Sequence, residues 1–403
     1  AAGLLVAVWL VALGLPAGGS VLLGLGIAAI GVAFAAVAAV TAQISGTARG
    51  ANGLAAAAVG VAFLLRAVGD AMGELGPDAM RVTSAWPSWL SPLGWGNQLR
   101  PYEAGRWWVL ALSAGFAVAT IGLAFALTSR RDFGAGLLAV RRGPATAGRW
   151  LRSPLGLAWR LQRGVLLGWA IGVAVLAFSM GVLGDEVDDL VGRNEVAAEL
   201  IAQLGGQAAL TDAFLSMLAR LFALVIAGYA VQALLRMRAE ESSGHLEGVL
   251  GTAVSRPRWM AGHVLCALLG TVGLILLAGA GIGAGYGMAV GDVPGEALAM
   301  AGAALVHTPA ALVLAGVVLV LFGLVPRWSV ELSWAVLILC LLLWQLGGVL
   351  ELPQAVLNVS PFTHTPGVPA DDVTLLPLAV LLAVATVLGA AGIALFHRRD
   401  LAT

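Results

Sequence analysis

The chain has 403 residues and no net charge at neutral pH; 60% of its residues are hydrophobic and only 11% are charged. With a mean hydropathy of +0.94, this excludes an ordinary soluble domain, in which about a quarter of the residues carry charge. All 22 basic residues are arginine, so neither a GxxxxGK[ST] phosphate loop nor a Schiff-base lysine is available.

A helix of about 20 apolar residues crosses a hydrocarbon core of roughly 30 Å. Ten runs of this kind are predicted, over 1–15, 21–45, 51–70, 107–128, 164–184, 212–235, 261–290, 297–325, 329–350 and 374–396. The expected fold is an all-α polytopic membrane protein. The first run is short for a span and starts without a methionine or a charged leader. The sequence therefore reads as one lacking its N-terminal part.

Arginines orient the spans, because cytoplasmic loops retain positive charge. Eight lie between residues 130 and 163, which places that loop inside. The next connection, GDEVDDLVGRNEVAAELIAQLGG, holds six acids and Arg193, and an apolar stripe through Val187, Leu190, Val191, Ala197, Leu200, Ile201 and Leu204 predicts an outer helix. Arg236, Arg238, Arg256 and Arg258 return in the loop after it, and Arg398 and Arg399 put the C-terminus in the cytoplasm. The expected location is a bacterial plasma membrane. Only the long loop 71–106, with Arg81, Arg100 and Arg106, departs from the alternation.

Two stretches repeat. SRRD at 129–132 and HRRD at 397–400 each close a long apolar run, with Ser91-Pro92 41 residues before Asp132 and Ser360-Pro361 40 residues before Asp400. Upstream, Arg49 and Arg327 stand between spans, 278 residues apart. Four consecutive spans thus recur in the same orientation, as in a parallel repeat of six-span halves. Residues 1–147 read as the last four spans of a first half, and 148–403 as a complete second half.

Catalytic signatures are sparse. Cys266 and Cys340 fall inside spans and read as apolar packing residues; no HExxH occurs, and the five histidines have no metal-ligand spacing. The AVGD pairs at 67–70 and 289–292 lack the glycine that an intramembrane aspartyl protease needs where Ala67 and Ala289 stand. No intrinsic catalytic site, metal site or bound cofactor is expected. Arg220 sits nine residues past Thr211, roughly 13 Å along a helix. At that depth an arginine snorkels outward, finds an interhelical partner or lines a watery path. Gln232 and Gln345 read either as interhelical hydrogen-bonding groups or as path residues.

The loop 236–258 carries a different signal. Leu246, Val249, Leu250 and Ala253 recur at helical spacing, flanked by Glu240, Glu241 and Glu247 and stopped by Ser255-Arg256-Pro257. Basic polar faces are usual on headgroup-level helices. This acidic one points to docking on a cytosolic partner.

RAEESSGHLEGVLGTAVSRPRW resembles the coupling-helix region of permease subunits of type-2 ATP-binding-cassette exporters. SPLGLAWRLQRGVLLGW resembles their elbow helix, and SPLGW…RPY…RWW with RRDFGAGLL resembles the close of the first half in fused twelve-span permeases of the polyketide-antibiotic, tetronasin-resistance type. The resemblance implies an elbow over about 153–163, a coupling helix over about 240–256 and an outer re-entrant element over about 352–365. It implies ATPase coupling through Glu240, Glu241, Gly244, His245, Leu246, Glu247, Val249, Leu250 and Arg256. It also implies a path along 51–70, 212–235 and 329–350, where Arg220, Gln232 and Gln345 lie. The expected function is export of hydrophobic small molecules, powered by two copies of a cytosolic ATPase that bind ATP and Mg. A secondary transporter and a non-transporting scaffold are the alternatives.

Overall fold

Apolar runs bounded by proline, glycine and charge become helices because a buried backbone must satisfy its own hydrogen bonds. The computed structural model describes residues 2–75, 82–103, 105–130, 136–137, 146, 148–192, 207–347 and 350–399. The described residues are helical throughout except for connections and one antiparallel pair, β1 (Glu74–Leu75) with β2 (Val82–Thr83). Among the described residues nine helical segments are long and apolar enough to cross a membrane. The protein is an all-α, multi-pass membrane protein.

The chain divides into two compact units, Ala1–Pro144 and Ala145–Thr403. The first holds α1 (Ala2–Ala12), α2 (Ala17–Ile44), α3 (Ala48–Ala71), the short α4 (Trp86–Trp89) and α5 (Pro92–Gln98), and α6 (Trp108–Thr128). At 11 residues α1 is too short for a span of the length expected over 1–15. Its core gathers Leu22, Trp95, Leu99 and Val109. Ser91 shapes the α4–α5 turn: its Oγ accepts from the N–H groups of Leu93 and Gly94 and donates to the Ala62 carbonyl at 2.6 Å. That bond ties the turn to α3. Asp70 of the first AVGD accepts from Ser84 at 2.6 Å and pairs with Arg66, so its role is structural.

The second unit holds α7 (Pro154–Gly192), α8 (Gln207–Ser242), α9 (His245–Leu250), α10 (Arg256–Val290), α11 (Val293–Ala304), α12 (Thr308–Leu324), α13 (Ser329–Leu346), α14 (Gln354–Leu357) and α15 (Leu375–Arg398). Helix α8 runs through its centre, with Ile226, Tyr229 and Ala230 fully buried. Helix α10 packs on two neighbours through glycines. A Cβ on Gly279, Gly283 or Gly287 would meet the backbone of α11 or the turn before it, and one on Gly281 or Gly285 would meet α7. These small residues let whole helices approach backbone to backbone.

Four boundaries differ from the sequence-based expectations. The elbow expected at 153–163 is the first part of α7, since nothing after Pro154 breaks the helix. The run 297–325 is interrupted by a 3-10 turn at Leu305–His307, because Pro309 has no N–H for the Leu305 carbonyl. The helix expected at 240–256 shrinks to α9, as Gly244 takes a left-handed conformation (φ 74) that separates it from α8. The backbone of α7 continues to Gly192, covering the start of the acidic stripe; Ala197, Leu200, Ile201 and Leu204 lie outside the described residues, as do Arg131, Asp132 and Asp400.

Candidate functional site: an ion-pair clasp and a polar cavity

At the arginine-rich end of the second unit, α8 ends on Arg236, Arg238, Glu240 and Glu241. Successive turns set them at i,i+3 and i,i+4, so Arg236 pairs with Glu240 at 2.5 Å and Arg238 with Glu241 at 3.3 Å. Arg399, at the end of α15, also pairs with Glu241 and donates to the Phe322 carbonyl at 2.7 Å. Its guanidinium lies over the rings of Phe322 and Phe396, 5.1 and 5.4 Å from their centroids. Arg256, at the start of α10, donates to the Arg399 carbonyl at 2.8 Å. One arginine thus joins the ends of α8, α10, α12 and α15.

This arrangement alters the reading of the 240–256 segment. Glu240 and Glu241 are engaged within the chain rather than free. Leu246 is only 2% exposed and belongs to the core of the second unit, with Val249 and Leu250 packed against it. The apolar stripe therefore seats α9 on its own bundle. Ser243, Gly244, His245, Glu247 and Gly248 form the exposed surface. His245 Nδ1 lies 2.6 Å from Ser243 Oγ and 4.0 Å from Glu240.

At the opposite end, Arg220 donates from Nη2 to the Thr365 carbonyl at 3.1 Å. Thr365 Oγ1 also meets Nδ1 of the buried His307 at 2.8 Å, so α8 and the α11–α12 break both hold the segment after α14. A cavity of about 130 Å³ opens there, lined by Arg220, Leu343, Trp344, Leu357, Ser360, Phe362 and Thr363. Gln232 is exposed and accepts from Trp169 Nε1 at 2.8 Å, and Gln345 is exposed on α13. The structure brings Arg220 to this cavity. Neither glutamine lines it.

Sequence reasoning missed Arg399, His307 and Ser360 as contacts. The repeated RRD pointed to Arg399, and the His-Thr-Pro sequence at 307–309 inside an apolar run marked the helix break, but partners 58 and 158 residues away carry no local signature. The ion-pair clasp and the polar cavity thus lie within one bundle of apolar, membrane-spanning helices. Residues 151–397 match the family described as the C-terminal domain of the multidrug efflux system permease Rv1217c. The multidrug efflux system permease protein Rv1217c of Mycobacterium tuberculosis is 42% identical over 400 residues, 99% of this chain and 71% of that protein. The chain belongs to this multidrug efflux permease family.

Proposed function

We propose that the chain is the membrane-spanning component of an ATP-driven exporter of hydrophobic small molecules, of the fused twelve-span type-2 kind. Two cytosolic ATP-binding-cassette subunits bind ATP and Mg and supply the chemistry. The observation that carries this reading is the similarity to a multidrug efflux permease along 99% of the chain. The arginine-rich end is cytoplasmic by the charge rule. There α9, held by Leu246, offers His245 and Glu247 on a short rigid element between two spans. A rigid element transmits a partner's closure into the bundle instead of absorbing it. The two units are related halves, each carrying a Ser-Pro turn (Ser91, Ser360) before its last helix.

The test is reconstitution in proteoliposomes with the co-purifying ATPase. Hydrophobic drugs are expected to stimulate ATP hydrolysis and to be pumped only when ATP is present. Glu247→Arg should weaken binding of the ATPase about thirtyfold, the scale of one interfacial hot spot, and leave the amount of inserted protein unchanged. Leu246→Asp, in contrast, would damage the bundle itself. Drug movement driven by a proton gradient without ATP overturns the proposal in favour of a secondary transporter.

A further inference from the structure

We infer that the cavity between α8, α13 and the α14 segment binds the anionic headgroup of an amphiphile, a carboxylate or phosphate carried on an apolar tail. This deepens the export reading and rests on it for the assignment of α8 and α13 to the path.

Three observations converge on an anion. Arg220 lines the cavity, and although one of its N–H groups is spent on the Thr365 carbonyl, its Nε is buried with no hydrogen-bond partner. A guanidinium carries five donors in a planar fork suited to carboxylate and phosphate. Ser360 also lines the cavity; it is 3% exposed, and among the described residues the only group its Oγ meets is the Cys340 thiol, a weak hydrogen-bonding partner. A hydroxyl kept from water beside so weak an acceptor gains from a stronger one in the cavity. Third, no carboxylate is among the described lining residues. Asp371 lies outside this lining; it accepts from the Gly367 N–H at 2.9 Å and is the carboxylate whose charge acts on Arg220.

The rest of the wall is apolar and aromatic, from Leu343, Trp344, Leu357 and Phe362. About 130 Å³ accommodates a headgroup and little more. The tail has a continuing track, since Leu339 and Leu346, at i−4 and i+3 from Leu343 on α13, are exposed. An anionic head set against Arg220 with its tail along α13 gives the Arg220 Nε–H an acceptor and the Ser360 hydroxyl a stronger one, and covers these leucines. A neutral amphiphile offers the Arg220 Nε–H a weaker acceptor, and a cationic one offers none.

The experiment uses the intact chain in phosphatidylcholine nanodiscs without ATP, so that failure of ATPase coupling does not affect it. The probe is 11-(dansylamino)undecanoate, with decanoate and decanol as competitors. Saturable binding displaced by decanoate and not by decanol is expected, weakened at least ~10-fold by Arg220→Gln and several-fold by Ser360→Ala. Equal displacement by decanol, or undiminished binding in a folded Arg220→Gln protein, overturns the inference. Should Arg220→Gln not fold, Ser360→Ala and the competitor pair decide, because neither touches the Arg220–Thr365 bond. Repetition in discs containing phosphatidylglycerol separates the sources: loss of probe binding assigns the site to a lipid headgroup, and unchanged binding assigns it to an exported compound.

Discussion

Arg399 does the work of several residues. Its side chain is 14% exposed and that of Glu241 12%, so the pair is largely withdrawn from water and removing one member strands the other. Arg399→Ala also strips a cation from two phenylalanine rings and a donor from the Phe322 carbonyl. A loss of about 2 kcal/mol is expected, moderated by Arg238, which still faces Glu241. Thermal unfolding in detergent measures it, and the double variant with Glu241→Gln should lose less than the sum of the two single losses. In sequence, Arg399 reads as a charge marking the inner side of the last span and as part of the repeated RRD. Its partner stands 158 residues earlier, and no periodicity reports on a contact at that separation. Glu240 and Glu241, read in sequence as docking acids, also pair within the chain: Arg236 and Arg238 stand one helical turn away, and only Arg399 is remote.

Helices were the most legible level, because length and hydropathy alone decide whether a segment can cross a bilayer. Their ends were less so. Helix α10 starts at Arg256, five residues before the predicted run, since Pro257 suits a first helical turn and polar residues there cost nothing outside the apolar layer. The AGAGIGAGYG stretch at 278–287 shows what a hydropathy profile conceals. Its glycines add little apolar surface, yet the 279/283/287 row meets α11 and the 281/285 pair meets α7. Gly283→Leu should therefore force α10 and α11 apart and reduce the folded, detergent-stable fraction severely. Gly302→Leu, where an added Cβ meets nothing within 4 Å, should be tolerated. Fluorescence-detected gel filtration of the two variants compares them directly.

Across the whole molecule, the division into Ala1–Pro144 and Ala145–Thr403 falls within the arginine-rich connection after α6. Limited trypsin treatment of inside-out vesicles should cut at Arg141 or Arg142 and give two fragments matching the units. Right-side-out vesicles should not give this pair of fragments, and its appearance in those alone would reverse the assigned orientation. The residues lining the cavity were legible only in part. Arg220 announced itself by its depth in an apolar run, but Ser360 and Trp344 became neighbours only through the fold. The Arg399 clasp has a further implication for biogenesis. Glu241 is synthesised 158 residues before its partner, a wait of roughly 8–30 s at ordinary translation rates. During that interval α10 and α12 are made and join α8 with the clasp still open. The clasp is thus a late joint: until the last helix arrives Glu241 has Arg238 alone, and only a finished chain ties the ends of four helices together.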